Sequence, residues 1–151
     1  IPFKEAIENK KDAVMVAHIL FNKIDSENPA TLSKLMITDV LRNELDFDGV
    51  VITDDMTMGA ILENYDIGDA AVKSVDAGSD IILVSHGYEN KVKVLKDLKN
   101  AVENQVISMD RIDESVYRIL KLKEKYALED AQIDSIDVDK INRDISALLN
   151  E

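Results

Sequence analysis

At 151 residues the chain suits one domain and is long enough to bury a core. Thirty acidic against 18 basic side chains give a net charge of -12, which argues against partnership with nucleic acid or an anionic membrane surface, and no apolar run approaches the roughly 18–20 residues that span a bilayer. No cysteine is present, which excludes disulfides and thiolate chemistry and leans the expected setting slightly towards a reducing compartment such as the cytoplasm over secretion.

Ile1-Pro2-Phe3 does not read as a translation start, so the expectation is a processed chain or part of a longer one. Residues near 2–10 read as the end of a surface helix. Ala13-Val14-Met15-Val16-Ala17-His18 is a continuous apolar run, the pattern of a strand buried on both faces of a parallel sheet. A loop with Asp25, Ser26, Asn28 and Pro29 leads to Ser33, a plausible N-cap for a helix striped by Ile37, Val40, Leu41 and Leu45. Asp46-Phe47-Asp48-Gly49 turns the chain into a second strand, Val50 to Thr53, which ends in Asp54 and Asp55. A polar loop with Met58 and Gly59 follows. The next helix runs from about Asp69 to Ala77 and stops at Gly78, as a C′ glycine stops one. Ile81-Ile82-Leu83-Val84 is the third buried strand, closing at Ser85-His86-Gly87.

Val92, Leu95 and Leu98 mark a further helix. Ser108 caps a long one in which Ile112, Val116, Ile119, Leu120 and Lys123 keep the 3.6 period, and Lys121, Lys123, Glu124 and Lys125 form a solvated face. The acidic tail, residues 129–151, contains Val138, Ile141, Ile145, Leu148 and Leu149. That is an amphipathic helix capped by Asp137, acting as a linker or as a strap over apolar surface. Strands recur about every 30–37 residues with helices between them, the βαβ signature with right-handed crossovers. Three strands would leave both sheet edges open, so the expectation is a segment, residues 1–128, of a larger α/β fold.

Two adjacent carboxylates at the C-terminal end of a parallel strand stand where chemistry collects in such folds. On spacing alone, Asp54 reads equally as a loop cap or as a reactive group. The pair also resembles the Mg²⁺ ligands of a phospho-acceptor domain, but the third strand ends at Ser85 without the aspartate such a domain needs. His18 reads as a hydrogen-bonder behind the site rather than as an acid. His86, beside Gly87, lines the mouth of a site or is simply exposed. Met36 and Met56 read as ordinary core or wall residues.

The run Val40-Leu41-Arg42-Asn43-Glu44-Leu45-Asp46-Phe47-Asp48-Gly49-Val50-Val51-Ile52-Thr53-Asp54-Asp55-Met56-Thr57-Met58 closely resembles the nucleophile region of glycoside hydrolase family 3, in its β-N-acetylhexosaminidase branch. Four flanking segments extend the likeness in family order. Val14-Met15-Val16-Ala17-His18 resembles the preceding strand, and Asn28-Pro29-Ala30-Thr31-Leu32-Ser33 the loop after it. Ala77-Gly78-Ser79-Asp80-Ile81-Ile82-Leu83-Val84 resembles the last barrel strand. Arg118-Ile119-Leu120-Lys121-Leu122-Lys123 resembles the helix that ends the barrel domain.

The resemblance implies the C-terminal portion, about three β/α units, of a (β/α)₈ barrel. It implies Asp54 as the catalytic nucleophile of a retaining hydrolase and Met58 as a residue that packs near the sugar; His18 and His86 join Met58 as candidate substrate-binding residues from their places at the ends of their strands. Asp55 is expected to order the loop. The implied substrates are N-acetylglucosaminides such as chitin or peptidoglycan fragments, with no metal or organic cofactor. The family's acid/base loop, resembling Lys-His-Phe-Pro-Gly-His-Gly, occurs nowhere in this sequence. The isolated chain is therefore expected to be inactive, and to pair its open edges with the rest of a barrel or with a second copy. The alternatives are a non-catalytic structural piece and a β-glucosidase-type relative.

Overall fold

The computed structural model describes residues 2–128 and 136–149. Ile1, the expected domain boundary after Leu128 and residues 129–135 of the tail lie outside the described residues. The chain is mixed α/β and mostly helical. Helix α1 (Pro2–Glu8) leads into strand β1 (Ala13–Val16), a single 3₁₀ turn (Ala30–Leu32) and a wide helix α2 (Leu35–Glu44). Strand β2 (Val50–Thr53) and one short turn of helix, α3 (Gly59–Leu62), precede α4 (Ile67–Ala77), α5 (Tyr88–Glu103), α6 (Met109–Lys125) and α7 (Val138–Leu149). No described helix is long and apolar enough to cross a membrane.

Strands β1 and β2 are parallel, with Ala13 opposite Val50 and Val16 opposite Thr53. Val50, Val51 and Thr53 are buried, as a strand covered on both faces should be, whereas β1 alternates between exposed and half-buried residues and leaves Met15 57% exposed. The expectation of two buried faces therefore fails for β1. Its inward residues Val14 and Val16 pack with Ile7 on Ile37, Leu41, Phe47 and Val51, but among the described residues no element covers its other side.

The third expected strand is reduced to a single parallel bridge between Ile52 and Ile81. The run from Ile81 to Val84 still lies along β2. The Thr53 N–H donates to the Ile81 carbonyl at 3.0 Å, and the Met56 N–H to the Leu83 carbonyl at 2.9 Å. Between them the ladder is interrupted, because the Leu83 N–H is received by the Thr53 hydroxyl at 3.0 Å rather than by a main-chain carbonyl.

Helix starts follow side-chain chemistry. Ser33 accepts from the Met36 N–H, Ser108 from the Arg111 N–H and Asp137 from the Lys140 N–H, as the sequence suggests. Helix α4 begins two residues earlier than expected, because Asp66 caps it by accepting from the Gly68 and Asp69 N–H groups. It ends at Gly78 with φ +119°, where an added Cβ would lie 2.9 Å from Ile37 Cγ2. Gly49 answers a different need. A Cβ there would sit 2.5 Å from both the Asp12 carbonyl and the Phe47 ring, so β2 could not enter beside β1.

Two helices present faces other than those expected. On α5 the core side is Val94, Leu98 and Ala101, while Val92 and Leu95 are exposed. On α6 the buried residue is Ser115, flanked by Arg111 and Arg118, and Val116 and Leu120 are exposed. The unburied apolar residues Leu95, Val116 and Ile119 line a groove of about 630 Å³ along the Ile81–Val84 run. Helix α7 buries none of its residues, so the described chain offers its stripe no partner.

The polar face of α6 is explained by Asp80. Its fully buried carboxylate accepts from Arg42 Nη2 at 2.6 Å and the Val51 N–H at 2.9 Å on one oxygen. The other oxygen takes Ser115 Oγ at 2.7 Å, Arg118 Nη1 at 3.3 Å and Arg111 Nη2 at 3.4 Å. Removing one partner of a buried ion pair strands the others. Asp80→Asn keeps the volume but takes from Arg42 its one carboxylate partner among the described residues and leaves Arg111 and Arg118 with only the exposed Glu114 and Asp48, and a loss of about 3–5 kcal/mol is expected in urea or thermal unfolding.

Candidate active site

Parallel β-folds gather their chemistry at the C-terminal ends of their strands. Here that end of β2 carries Asp54, half-buried. Its main-chain N–H continues the ladder to the Val16 carbonyl at 2.9 Å, which fixes its distance from β1. Its Oδ1 accepts the Asp55 N–H at 2.8 Å. Among the described residues no protein donor reaches Oδ2, so one carboxylate oxygen is held and the other is not.

Asp55 is arranged in the opposite way. Oδ1 accepts from the Thr57 N–H at 3.0 Å and the Ser85 N–H at 3.1 Å, and Oδ2 accepts from the Thr57 hydroxyl at 2.8 Å. Burial is the largest single influence on this carboxyl and would raise it. The hydrogen bonds from Thr57 and Ser85 together outweigh burial and hold it down at about 2. The side chain therefore ties the loop after β2 to the end of the Ile81–Val84 run, matching the expectation that it orders the loop. The sequence marks Ser85 only as the end of the third extended run and gives Thr57 no role, although Asp followed two residues later by Thr is a side-chain turn signal that points to Thr57.

His18 sits where β1 leaves the sheet, half-buried. Its Nε2 lies 3.0 Å from the Asp55 carbonyl and its Nδ1 2.8 Å from Thr31 Oγ1. Thr31 is fully buried, and its carbonyl accepts the Ser74 hydroxyl of α4 at 2.9 Å. Met58 donates its N–H to the Asp55 carbonyl at 3.0 Å and keeps its side chain 45% exposed. His86 adjoins Ser85 on the exposed side, and its carbonyl takes the Asn90 side-chain amide at 3.2 Å. The structure thus joins Asp54, Asp55, His18 and Met58 in one hydrogen-bonded loop system, with His86 at its margin. No three of the described His, Asp and Glu residues come together as a metal-ligand set.

The family description "Glycosyl hydrolase family 3 N terminal domain" matches residues 1–122, a span that contains this whole arrangement. The chain belongs to glycosyl hydrolase family 3. Its likeness runs to the β-N-acetylhexosaminidase branch, and its fold is the barrel type of the family's N-terminal domain. A β-hexosaminidase from Mannheimia succiniciproducens is 40% identical over 99 residues, 65% of this chain and 28% of that protein. The solved structure of a family 3 β-N-acetylglucosaminidase from Paenibacillus sp. str. FPU-7 matches with a TM-score of 0.86 at 46% identity, over 91% of this chain and 26% of that one. A structure titled β-glucoside phosphorylase BglX matches with a TM-score of 0.75 at 26% identity, over 86% and 25% of the two chains. The chain therefore spans little more than a quarter of the length of these relatives.

A depressed carboxyl contributes stability that is complete above its unfolded-state value, near 3.9, and is lost as pH falls towards its folded value. For Asp55 the window runs from about 4 down to about 2. Asp25, held at about 2 chiefly by the Ser33 hydroxyl, loses its contribution in the same window but in a different loop. Amide exchange at Thr57 and Ser85 should accelerate through that window in the wild type. In Asp55→Asn it should already be fast at pH 5, with exchange at Glu27 and Asn28, beside Asp25, unaltered there.

Proposed function

We propose that this chain supplies the nucleophile half of the active site of a retaining β-N-acetylhexosaminidase, with Asp54 as the nucleophile. The observation that carries the reading is the division between the two carboxylates. Among the described residues Asp54 presents an oxygen that no protein donor engages, while Asp55 has both oxygens bonded in place. Asp54 Oδ2 attacks the anomeric carbon, the bond to the leaving oxygen breaks, and a glycosyl ester forms on the carboxylate. Water then attacks the same carbon and releases Asp54. The leaving oxygen needs a proton, and the water needs a base. The loop that performs both in this branch has no counterpart in the chain, so the complete protein is the catalyst and the substrate is a terminal N-acetylglucosaminide of chitin or peptidoglycan fragments. Met58 and His86, at the mouth of the loop system, are the candidate sugar contacts. No cofactor is required by this chemistry.

In the complete protein, Asp54→Gly should lower turnover of 4-nitrophenyl N-acetyl-β-D-glucosaminide by about a thousandfold or more. Azide should then restore release of nitrophenol and yield the α-glycosyl azide, because a small anion occupies the space of the lost carboxylate. Wild-type turnover in that variant, or no azide adduct, would remove Asp54 from the role. The 151-residue chain alone should show no turnover of the same substrate. Preference for the corresponding glucoside in the complete protein would favour the β-glucosidase-type alternative.

A second reading concerns the isolated chain, a non-catalytic piece that self-associates through its open sheet edges. Exposed Met15 on β1 and the half-covered run from Ile81 to Val84 favour it. Sedimentation of the isolated chain should give dimers or larger species, and a compact monomer would count against edge pairing.

A further inference from the structure

We propose that His18 is a positioning residue for Asp54, acting through the main chain of Asp55, and not a contact for the sugar. The inference rests on the reading of Asp54 as nucleophile and adds to it the device that holds the reacting oxygen in line.

The Asp55 carbonyl has no proton, so the 3.0 Å contact requires Nε2 to carry one and donate it. In the neutral ring Nδ1 then accepts the single proton of the Thr31 hydroxyl at 2.8 Å, in preference to the longer 3.3 Å contact of that hydroxyl with the Val16 carbonyl. Both ring nitrogens are thereby engaged by the protein, leaving none to bind a sugar hydroxyl. The far end of the ring bears on Thr31, which is fully buried and tied to α4 through Ser74. His18 is thus braced against the body of the fold and aimed at the loop after β2.

Asp55 is gripped from several sides. The carboxylate takes Thr57 and Ser85, and the carbonyl takes the Met58 N–H besides His18. Every grip except His18 comes from the loop itself or from the segment after the Ile81–Val84 run. Among the described residues His18 alone reaches in from the β1 side. The Asp55 N–H, in turn, is the group that engages Asp54 Oδ1 and so decides which oxygen is presented. Release of the carbonyl on the β1 side would let residue 55 tilt and the Asp54 carboxylate rotate with it. Attack on carbon depends steeply on alignment, whereas sugar binding by other residues does not. The effect should therefore fall on kcat.

The test uses the complete protein and 4-nitrophenyl N-acetyl-β-D-glucosaminide. His18→Asn places its amide near Nδ1 and loses the reach to Asp55. It should lower kcat by about ten- to a hundredfold with KM within about twofold. His18→Gln carries an amide N–H near the position of Nε2 and should recover most of that loss. If Asn and Gln behave alike, or if KM rises with kcat unchanged, His18 is not a positioning residue. Should His18→Asn fail to fold, Thr31→Val leaves the ring in place, removes its brace and should show the same kcat loss; an unchanged kcat there overturns the proposal. Azide rescue of Asp54→Gly is read separately, so a failed nucleophile assignment is distinguished from a failed role for His18.

Discussion

The fold depends on one buried carboxylate. Asp80 lies at the start of the third extended run, and its two oxygens collect the Val51 N–H of β2, Arg42 from α2, and Arg111, Ser115 and Arg118 from α6. Without it three guanidinium groups would crowd one another with only the exposed Asp48 and Glu114 nearby, and without them a buried carboxylate would lie far from any counter-charge. The arginines are also bonded elsewhere. Arg42 donates to the Phe47, Gly49 and Gly78 carbonyls, and Arg111 to those of Val75 and Ser79. The cluster thus closes the turns that enter and leave the strands at their N-terminal ends, and it sets the height at which each strand begins.

That has a consequence at the other end. Strands started at fixed heights and paired in register end at fixed heights, so Val16, Thr53 and the segment after Val84 arrive together. Asp54 N–H then meets the Val16 carbonyl and the Asp55 carboxylate meets the Ser85 N–H without the loops having to search for them. The division follows the general one in parallel barrels, with stability at the N-terminal face and chemistry at the C-terminal face.

Sequence and structure agree where a single residue acts locally. The caps at Ser33, Ser108 and Asp137 and the stop at Gly78 are short-range hydrogen bonding and backbone sterics, which spacing reveals. They part where the partner is remote. Arg111, Ser115 and Arg118 look like the solvent side of α6 because periodicity assumes that apolar residues face inwards. A buried carboxylate some thirty residues away reverses that face, and nothing in the helix itself announces it. The split between Val94 and Val92 on α5 has the same origin, since two apolar stripes compete and only packing chooses. The bridge at Ile81 was equally hidden, because Thr53 reads as a strand residue whether or not its hydroxyl replaces a carbonyl in the ladder. At the site, Asp54 was legible as a carboxylate ending a strand, and the family likeness gave it a role. Thr31 and Ser85 were not, since each matters only through a neighbour that folding supplies.

The pairing of Asp54 with Asp55 resolves a difficulty that adjacent acids create. Two free carboxylates side by side repel, and each would raise the other's affinity for protons. A nucleophile needs the reverse, an ionised oxygen that is not stabilised so well that it loses its reactivity. Here the second acid is taken out of competition by direct bonds from Thr57 and Ser85, which keep it ionised and fixed, while the first retains one internal donor among the described residues. That donor is the main chain of the second acid. The same residue that would otherwise be a rival is thus the one that orients the carboxylate proposed as nucleophile, and its own orientation is inherited from groups on three separate segments: His18, Thr57 and Ser85. An aspartate at this position is informative for that reason: asparagine would keep the shape but could not draw in three donors at once.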